Sequence, residues 1–275
     1  MQSSKPFSLC WPEKIDQNTF ADRERPRPHT TQYSKMNSEI VLEACQLKKS
    51  YHKDRIEVPV LRGVNLQVQR GLITSLVGRS GSGKSTLMHL LAALDYPDDG
   101  QIHFAGERID NASRSRRDAY RNQNLGIIFQ FYHLLPELTA MENVLAPLMI
   151  SQSVLHFFNH RKAAKRRAEE MLDRVGLLHR ATHKPSEMSG GEMQRAAIAR
   201  SLMANPSLLL ADEPTGNLDT DTGQEILSLL NTFNQDDGLT ILMITHDDAI
   251  AKNSDTCYRM QDGELNSETA KLQVA

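Results

Sequence analysis

The stretch Gly78-Arg79-Ser80-Gly81-Ser82-Gly83-Lys84-Ser85 places a lysine and a hydroxyl directly behind a run of closely spaced glycines. It fits the pattern G-x-x-x-x-G-K-[ST], and it sits between an apolar run, Leu72 to Val77, and a helix-like run, Thr86 to Leu94. Glycines at this spacing let the backbone turn sharply, so that successive N–H groups point inward at phosphate oxygens. The helix behind adds the positive end of its dipole. In such a loop the lysine, Lys84, reaches the β- and γ-phosphates, and Ser85 sets its hydroxyl on Mg²⁺. A glycine-rich turn without a ligand is the bland alternative, and the strand and helix flanks argue against it.

Two further constellations lie downstream. Leu208-Leu-Leu-Ala-Asp212-Glu213-Pro is an apolar strand ending in two carboxylates. Asp212 stands where a metal sits beside a phosphate loop, and Glu213 is placed to polarise an attacking water. An acidic pair after a strand also serves as a plain helix cap. Ser189-Gly190-Gly191-Glu192 opens a helix, and a serine and two glycines at a helix start form a second anion site. One chain then holds two phosphate-binding surfaces, which close on one nucleotide if two copies pack head to tail.

With Ser189-Gly190-Gly191 just upstream of the acidic strand, the chain resembles the ATP-binding cassette (ABC) ATPases. Other positions agree with that family. Tyr51 matches the aromatic residue that stacks on adenine, and Gln130 the glutamine that contacts Mg²⁺ and water. Asn217-Leu-Asp219 matches the loop after the acidic pair, and His246 the histidine that contacts the γ-phosphate. The resemblance spans roughly residues 39–264. It implies a P-loop NTPase fold of the α/β class: a RecA-like core with a mainly parallel sheet, an N-terminal antiparallel β subdomain and an inserted α-helical subdomain. It also implies ATP and Mg²⁺ as ligands. The ATP-binding set would be Tyr51, the loop Gly78 to Thr86, Ser189 to Glu192 and Asp219. Ser85, Gln130 and Asp212 would hold the metal, and Glu213, His246, Gln130 and Lys84 would be catalytic. Departures from the family pattern are mild. Met188 replaces the usual leucine at similar volume, Glu192 stands where glutamine is frequent, and Ala93 stands where glycine often occurs, a change that should improve the helix.

The connecting segments narrow the resemblance. Phe129-Gln-Phe-Tyr-His-Leu-Leu-Pro-Glu-Leu-Thr-Ala-Met-Glu-Asn-Val144 and Asp212-Glu-Pro-Thr-Gly-Asn-Leu-Asp219 are similar to the bacterial LolD/MacB/FtsE family, nearest to its LolD branch. That implies an ATPase on the cytoplasmic face of the inner membrane, paired with a second copy of itself and with integral membrane permease subunits of LolC/LolE type. Leu134 to Glu137 is then the expected contact with the membrane subunits. Lipoprotein release, peptide or drug export and cell division remain open within this family, and ATP binding without turnover is a further alternative.

Strands and helices must alternate to position these residues. Strands are expected at Ile40 to Leu47, Val60 to Val68, Leu72 to Val77, Gln101 to Phe104, Leu125 to Phe129, Leu208 to Ala211, Leu239 to Ile244 and Cys257 to Met260. Helical patterns fall at Met141 to Met149, Arg161 to Val175, Gly191 to Met203 and Thr222 to Phe233. The alternation predicts an α/β fold around a largely parallel sheet. Residues 131–187 form a strand-free helical region within a nucleotide-binding domain, 38–275. Met1 to Asn37 is polar and proline-spotted and reads as a mobile extension, with Phe7, Leu9 and Trp11 as an alternative docking patch. A net charge of −2, with neither zinc spacing nor a strongly basic face, speaks against a direct nucleic-acid partner. No apolar run reaches bilayer length and the start lacks a signal-peptide core, so a cytoplasmic protein is expected. The basic run Arg161 to Arg167 reads as a solvated helix face, with lipid headgroups as the alternative. Cys10, Cys45 and Cys257 are scattered, which predicts incidental thiols and no metal beyond the nucleotide-bound Mg²⁺.

Overall fold

The structure is a computed structural model that describes residues 40–53, 56–151 and 154–268. The stretch 1–37, expected to be a mobile extension, and Cys10 lie outside them. In chain order the elements are β1 (Ile40–Lys53), β2 (Ile56–Gln69), β3 (Ile73–Gly78), α1 (Lys84–Leu91), β4 (Asp99–Phe104), β5 (Glu107–Arg108), α2 (Arg114–Asn124) and β6 (Leu125–Ile128). Two helices follow without an intervening strand, α3 (Ala140–Ser151) and α4 (Val154–Arg174). The chain then continues through α5 (Gly190–Leu202), β7 (Leu208–Asp212), α6 (Thr220–Asp237), β8 (Thr240–Thr245), α7 (Asp248–Lys252), β9 (Thr256–Gln261) and β10 (Glu264–Glu268).

The strands form two sheets. One is antiparallel, in the order β2-β1-β4-β5; the other runs β10-β9-β3-β8-β7-β6 and is parallel except for β10. Every residue of β8 is buried, and so is all of β7 except Asp212, because the sheet is covered on both faces. That is why these strands read as unbroken apolar runs rather than alternations. Leu208, Leu210, Leu242 and Ile244 point into a core shared with α1 and the antiparallel sheet. Their neighbours Leu209, Ala211, Ile241 and Met243 point the other way, into a core built by α3, α4, α5 and α6 around Val144, Leu172, Ile198 and Phe233.

Parallel pairing decides where the chemistry sits. Val77 is in register with Thr245, Asp212 with Ile244, and Ile128 with Ala211. The carboxyl ends of β3, β8, β7 and β6 therefore come to one edge, and the segments that follow them carry the phosphate loop, His246, Glu213 and Gln130. Ligands of open parallel sheets bind at this edge.

Three of the differences from the sequence expectations have a plain physical cause. First, β1 continues past Leu47 to Lys53, because the polar half pairs its backbone with β2 (Tyr51 with Val58) without needing apolar alternation. Second, α2 escaped prediction. Only Arg117 and Tyr120 of this helix are buried, so it has no apolar period to read. Third, Ala93 was expected to improve a helix, but α1 ends at Leu91 and Ala93 has φ 53°, in the left-handed region that glycine prefers. An alanine there is strained rather than favoured. The basic stretch of α4 pairs along its own face, Lys165 with Glu169 (3.7 Å) and Arg166 with Glu170 (2.9 Å). No described helix is long and apolar enough to cross a membrane.

Candidate active site

The phosphate loop joins β3 to α1 around Gly83, whose φ of 105° only glycine adopts easily. A side chain there would also meet Leu61 and the Val60 carbonyl at 3.0 Å. Ser82 N–H closes the turn on the Arg79 carbonyl (3.2 Å). Lys84 folds back into the loop and donates to the carbonyls of Gly78 (2.8 Å) and Arg79 (2.9 Å). Burial lowers its pKa, and the charges of Glu213 and Asp212 oppose that shift.

A cleft of about 630 Å³ opens on this loop. Ser80, Gly81, Gly83, Lys84, Ser85 and Thr86 of the loop line it, together with Gln130, Asp212, Glu213 and His246. Gly78, Arg79 and Ser82 belong to the same loop but do not line the cleft. Asp212 accepts a hydrogen bond from the Ser85 hydroxyl, yet its pKa is raised. Burial is the main cause and the Glu213 charge adds to it. Glu213 is the strained residue of the site, with φ 44°. Its backbone N–H is fixed by the Ile244 carbonyl (2.9 Å). Its Oε2 accepts from Gln130 Nε2 (3.4 Å) and lies 3.3 Å from His246 Nδ1. A carboxylate, an amide and an imidazole thus converge on one point of the cleft.

The Ser85–Asp212 pair fits Mg²⁺. Two hard oxygen donors stand together, and the carboxylate carries a burial penalty that a cation would relieve. Gln130 supplies a third oxygen within the same cleft.

Tyr51 lies beside the cleft rather than on its lining. Its hydroxyl interacts with Thr86 and donates to Asp95 Oδ2 (3.0 Å), while Lys49 sits 5.2 Å from the ring centroid. The residue is 42% exposed.

The residues of the expected second anion site lie elsewhere. Ser189, Gly190, Gly191, Glu192 and Asp219 do not line the cleft of their own chain. Ser189 caps α5: its Oγ accepts from Glu192 N–H (3.2 Å), and Glu192 Oε2 accepts from Ser189 N–H (2.8 Å). Side chains at Gly190 and Gly191 would meet the Tyr132 hydroxyl at 2.9 Å and Thr222 at 2.6 Å, so both glycines serve packing as well. Asp219 caps α6 by accepting from Thr222 N–H (3.0 Å) and its hydroxyl (2.7 Å), which lowers the Asp219 pKa.

Three further side chains hold the site together, of which Asn143 and Asn217 lay in segments matched from the sequence. Gln194, fully buried on α5, donates from Nε2 to the Pro214 carbonyl (2.6 Å), tying the Ser189 helix to the loop that carries Glu213. Asn217 Nδ2 donates to the Gln130 carbonyl (2.7 Å). Buried Asn143 binds the carbonyls of Leu135, Leu138 and Thr139 and pins the loop after Gln130. Leu134 packs on the core, whereas Leu135 is exposed.

Known proteins match this arrangement. The ABC transporter family profile covers residues 61–216. The lipoprotein-releasing system ATP-binding protein LolD 2 of Rhodopirellula baltica is 66% identical over 85% of this chain and 92% of its own length. LolD of Acinetobacter baylyi is 47% identical over 82% and 97%. The dimeric structure of MJ0796, a bacterial ABC transporter cassette, superposes with a TM-score of 0.75 at 34% identity, covering 84% of this chain and 99% of that one. A second MJ0796 dimer, in a post-hydrolysis state with ADP and Pi, matches equally well. With its phosphate loop, acidic strand and Ser-Gly-Gly helix start on this shared fold, the chain belongs to the ABC transporter family as a LolD-type ATP-binding subunit.

Proposed function

We propose that this chain is the ATP-hydrolysing subunit of a bacterial inner-membrane ABC complex that releases lipoproteins toward the outer membrane. It works on the cytoplasmic face as a head-to-tail pair. The observation that supports the reading is that the exposed Ser189 helix start stands outside the Lys84–Glu213–His246 cleft of its own chain. The dimeric cassettes it resembles, one of them with ADP and Pi, support the pairing.

Each residue then has a task. The Gly78–Thr86 backbone and Lys84 hold the phosphates, and the exposed Tyr51 ring stacks on the adenine. Ser85, Asp212 and Gln130 hold Mg²⁺, whose charge offsets that of the phosphates. Glu213 takes the proton of the attacking water, and Gln130 and His246 fix its carboxylate. Ser189, Gly190 and Gly191 of the second copy close on the γ-phosphate from the far side, with Glu192 holding the Ser189 turn and Asp219 the adjoining helix start. The bridging phosphate makes the nucleotide part of the interface, so hydrolysis opens the pair. Residues 38–275 serve as the nucleotide-binding domain, and the 131–187 helical region passes the motion on. Leu135, exposed on a loop that Asn143 holds rigid, touches membrane subunits of LolC/LolE type.

Glu213→Gln tests the core of this reading. The variant should bind ATP, hydrolyse it at least about a hundredfold more slowly, and sediment as a dimer only with ATP. Hydrolysis at the parent rate, or an ATP-loaded monomer, overturns it. For the cargo, liposomes holding the co-purified membrane subunits should release a lipoprotein only with ATP and this chain.

A further inference from the structure

β1 and β4 bring together three metal-ligating side chains that the nucleotide site does not use. Glu43 and Cys45 are two residues apart on β1 and so share a face. His103 on β4 is the cross-strand partner of Glu43. Their neighbours Leu42, Ala44 and Ile102 point into the core, which leaves the three half-buried on the outer face of the antiparallel sheet. A carboxylate oxygen, the thiol sulfur and an imidazole nitrogen lie within 4.8 Å of one another, the one such group among the described residues.

Two observations beyond proximity point to a ligand. His103 Nδ1 is buried without a hydrogen-bond partner, although a buried polar atom normally has one. Glu43 is already oriented, because its Oε1 accepts from Gln67 Nε2 (2.8 Å) on the neighbouring strand β2, as outer-shell groups orient metal-binding carboxylates. Cys45 adds selectivity. Its sulfur is a soft donor beside the hard carboxylate oxygen of Glu43 and the imidazole nitrogen of His103. A sulfur–nitrogen–oxygen donor set suits a borderline-soft ion such as Zn²⁺ and not Mg²⁺ or Ca²⁺.

We propose that Glu43, Cys45 and His103 bind a thiophilic divalent transition metal, with Zn²⁺ the best match, on the outer face of the antiparallel sheet. The ion would clip β1 to β4 and leave a fourth position for water. The proposal goes beyond the sequence expectation of no metal besides Mg²⁺, since these side chains come from two strands and form no local motif.

The test uses the full chain, stripped with a chelator and free of nucleotide. Titration with Co²⁺ should give a single site per chain with a thiolate-to-cobalt charge-transfer band, displaced by Zn²⁺. Zn²⁺ should raise the melting temperature of the parent but not of Cys45→Ser. Cys45→Ser should abolish the band, His103→Ala should weaken binding, and Gln67→Ala should weaken it about tenfold. Cys10→Ser and Cys257→Ser should leave the band in place. No band, or a band that survives Cys45→Ser or disappears with Cys10→Ser or Cys257→Ser, overturns the proposal. If Cys45→Ser does not fold, Glu43→Gln and His103→Asn decide the matter by the same band.

Discussion

Asp212 sits where ionisation is disfavoured. Burial is the largest cause of its raised pKa and the Glu213 charge adds to it, while the Ser85 hydroxyl and the charges of His89 and Lys84 pull the other way. A carboxyl whose folded pKa exceeds its unfolded value contributes stability at low pH, and that contribution is lost as pH rises through the folded value. The ionised Asp212 therefore weakens the nucleotide-free fold at neutral pH. Asp212→Asn should melt higher than the parent at pH 7 without nucleotide, and the gap should shrink as pH falls towards the ordinary carboxylate value of 3.8. The same variant should lose hydrolysis. Calorimetry across pH checks this, and an Asn variant that melts lower at pH 7 would contradict it. The residues proposed to hold phosphate, metal and water were legible because each lies in a short local pattern. Gln194 was not, since its role is a bond to the Pro214 carbonyl, twenty residues away along the chain, and no pattern announces an amide that serves a distant backbone oxygen.

At the scale of elements, α2 is instructive because its sequence is almost entirely polar. What fixes it is hydrogen bonding to the end of α1. The Tyr120 hydroxyl donates to the Leu91 carbonyl (2.9 Å), Arg117 donates to the carbonyls of Ala93 and Asp95, and Arg121 donates to that of Ala93 (2.6 Å). Helix ends leave such carbonyls unpaired, so α2 acts as a C-terminal cap supplied from elsewhere in the chain. The Arg117 guanidinium also stacks 3.5 Å from the centre of the Tyr96 ring. This explains how Ala93 tolerates a left-handed backbone: its carbonyl is held by two arginines. Tyr120→Phe should cost about 1 kcal/mol, the net value of one buried neutral hydrogen bond. In a domain of this size that lowers the melting temperature by about 2–4 °C. An unchanged melting curve would show that α2 is held by packing alone. β7 and β8 were readable as runs of apolar residues, whereas α2 and the polar end of β1 are held by backbone and carbonyl pairing, which hydropathy does not record.

At the scale of the whole molecule, the question is whether one nucleotide is enclosed by one chain or by two. Ser189 complicates the direct test, because it caps α5 and its loss costs about 1 kcal/mol of stability whatever its role toward phosphate. Mixing two inactive variants avoids the difficulty. Lys84→Ala destroys a chain's own phosphate loop; Ser189→Arg destroys the surface that chain offers to its partner. In a head-to-tail mixed dimer one nucleotide position joins both defects and the other joins neither. Equal mixing makes about half of the dimers mixed, each with one of two positions intact, so about a quarter of the parent's sites are restored. The matching readout is ATP occlusion: each variant alone should trap none, and the mixture should trap about a quarter of the parent's stoichiometry. Ser189→Asn, which keeps the helix cap, should fold as the parent does and separates capping from phosphate contact. If each chain enclosed its own nucleotide, the mixture would trap no more than the two variants trap apart, and the exposed Ser189 surface would be a helix cap and nothing more.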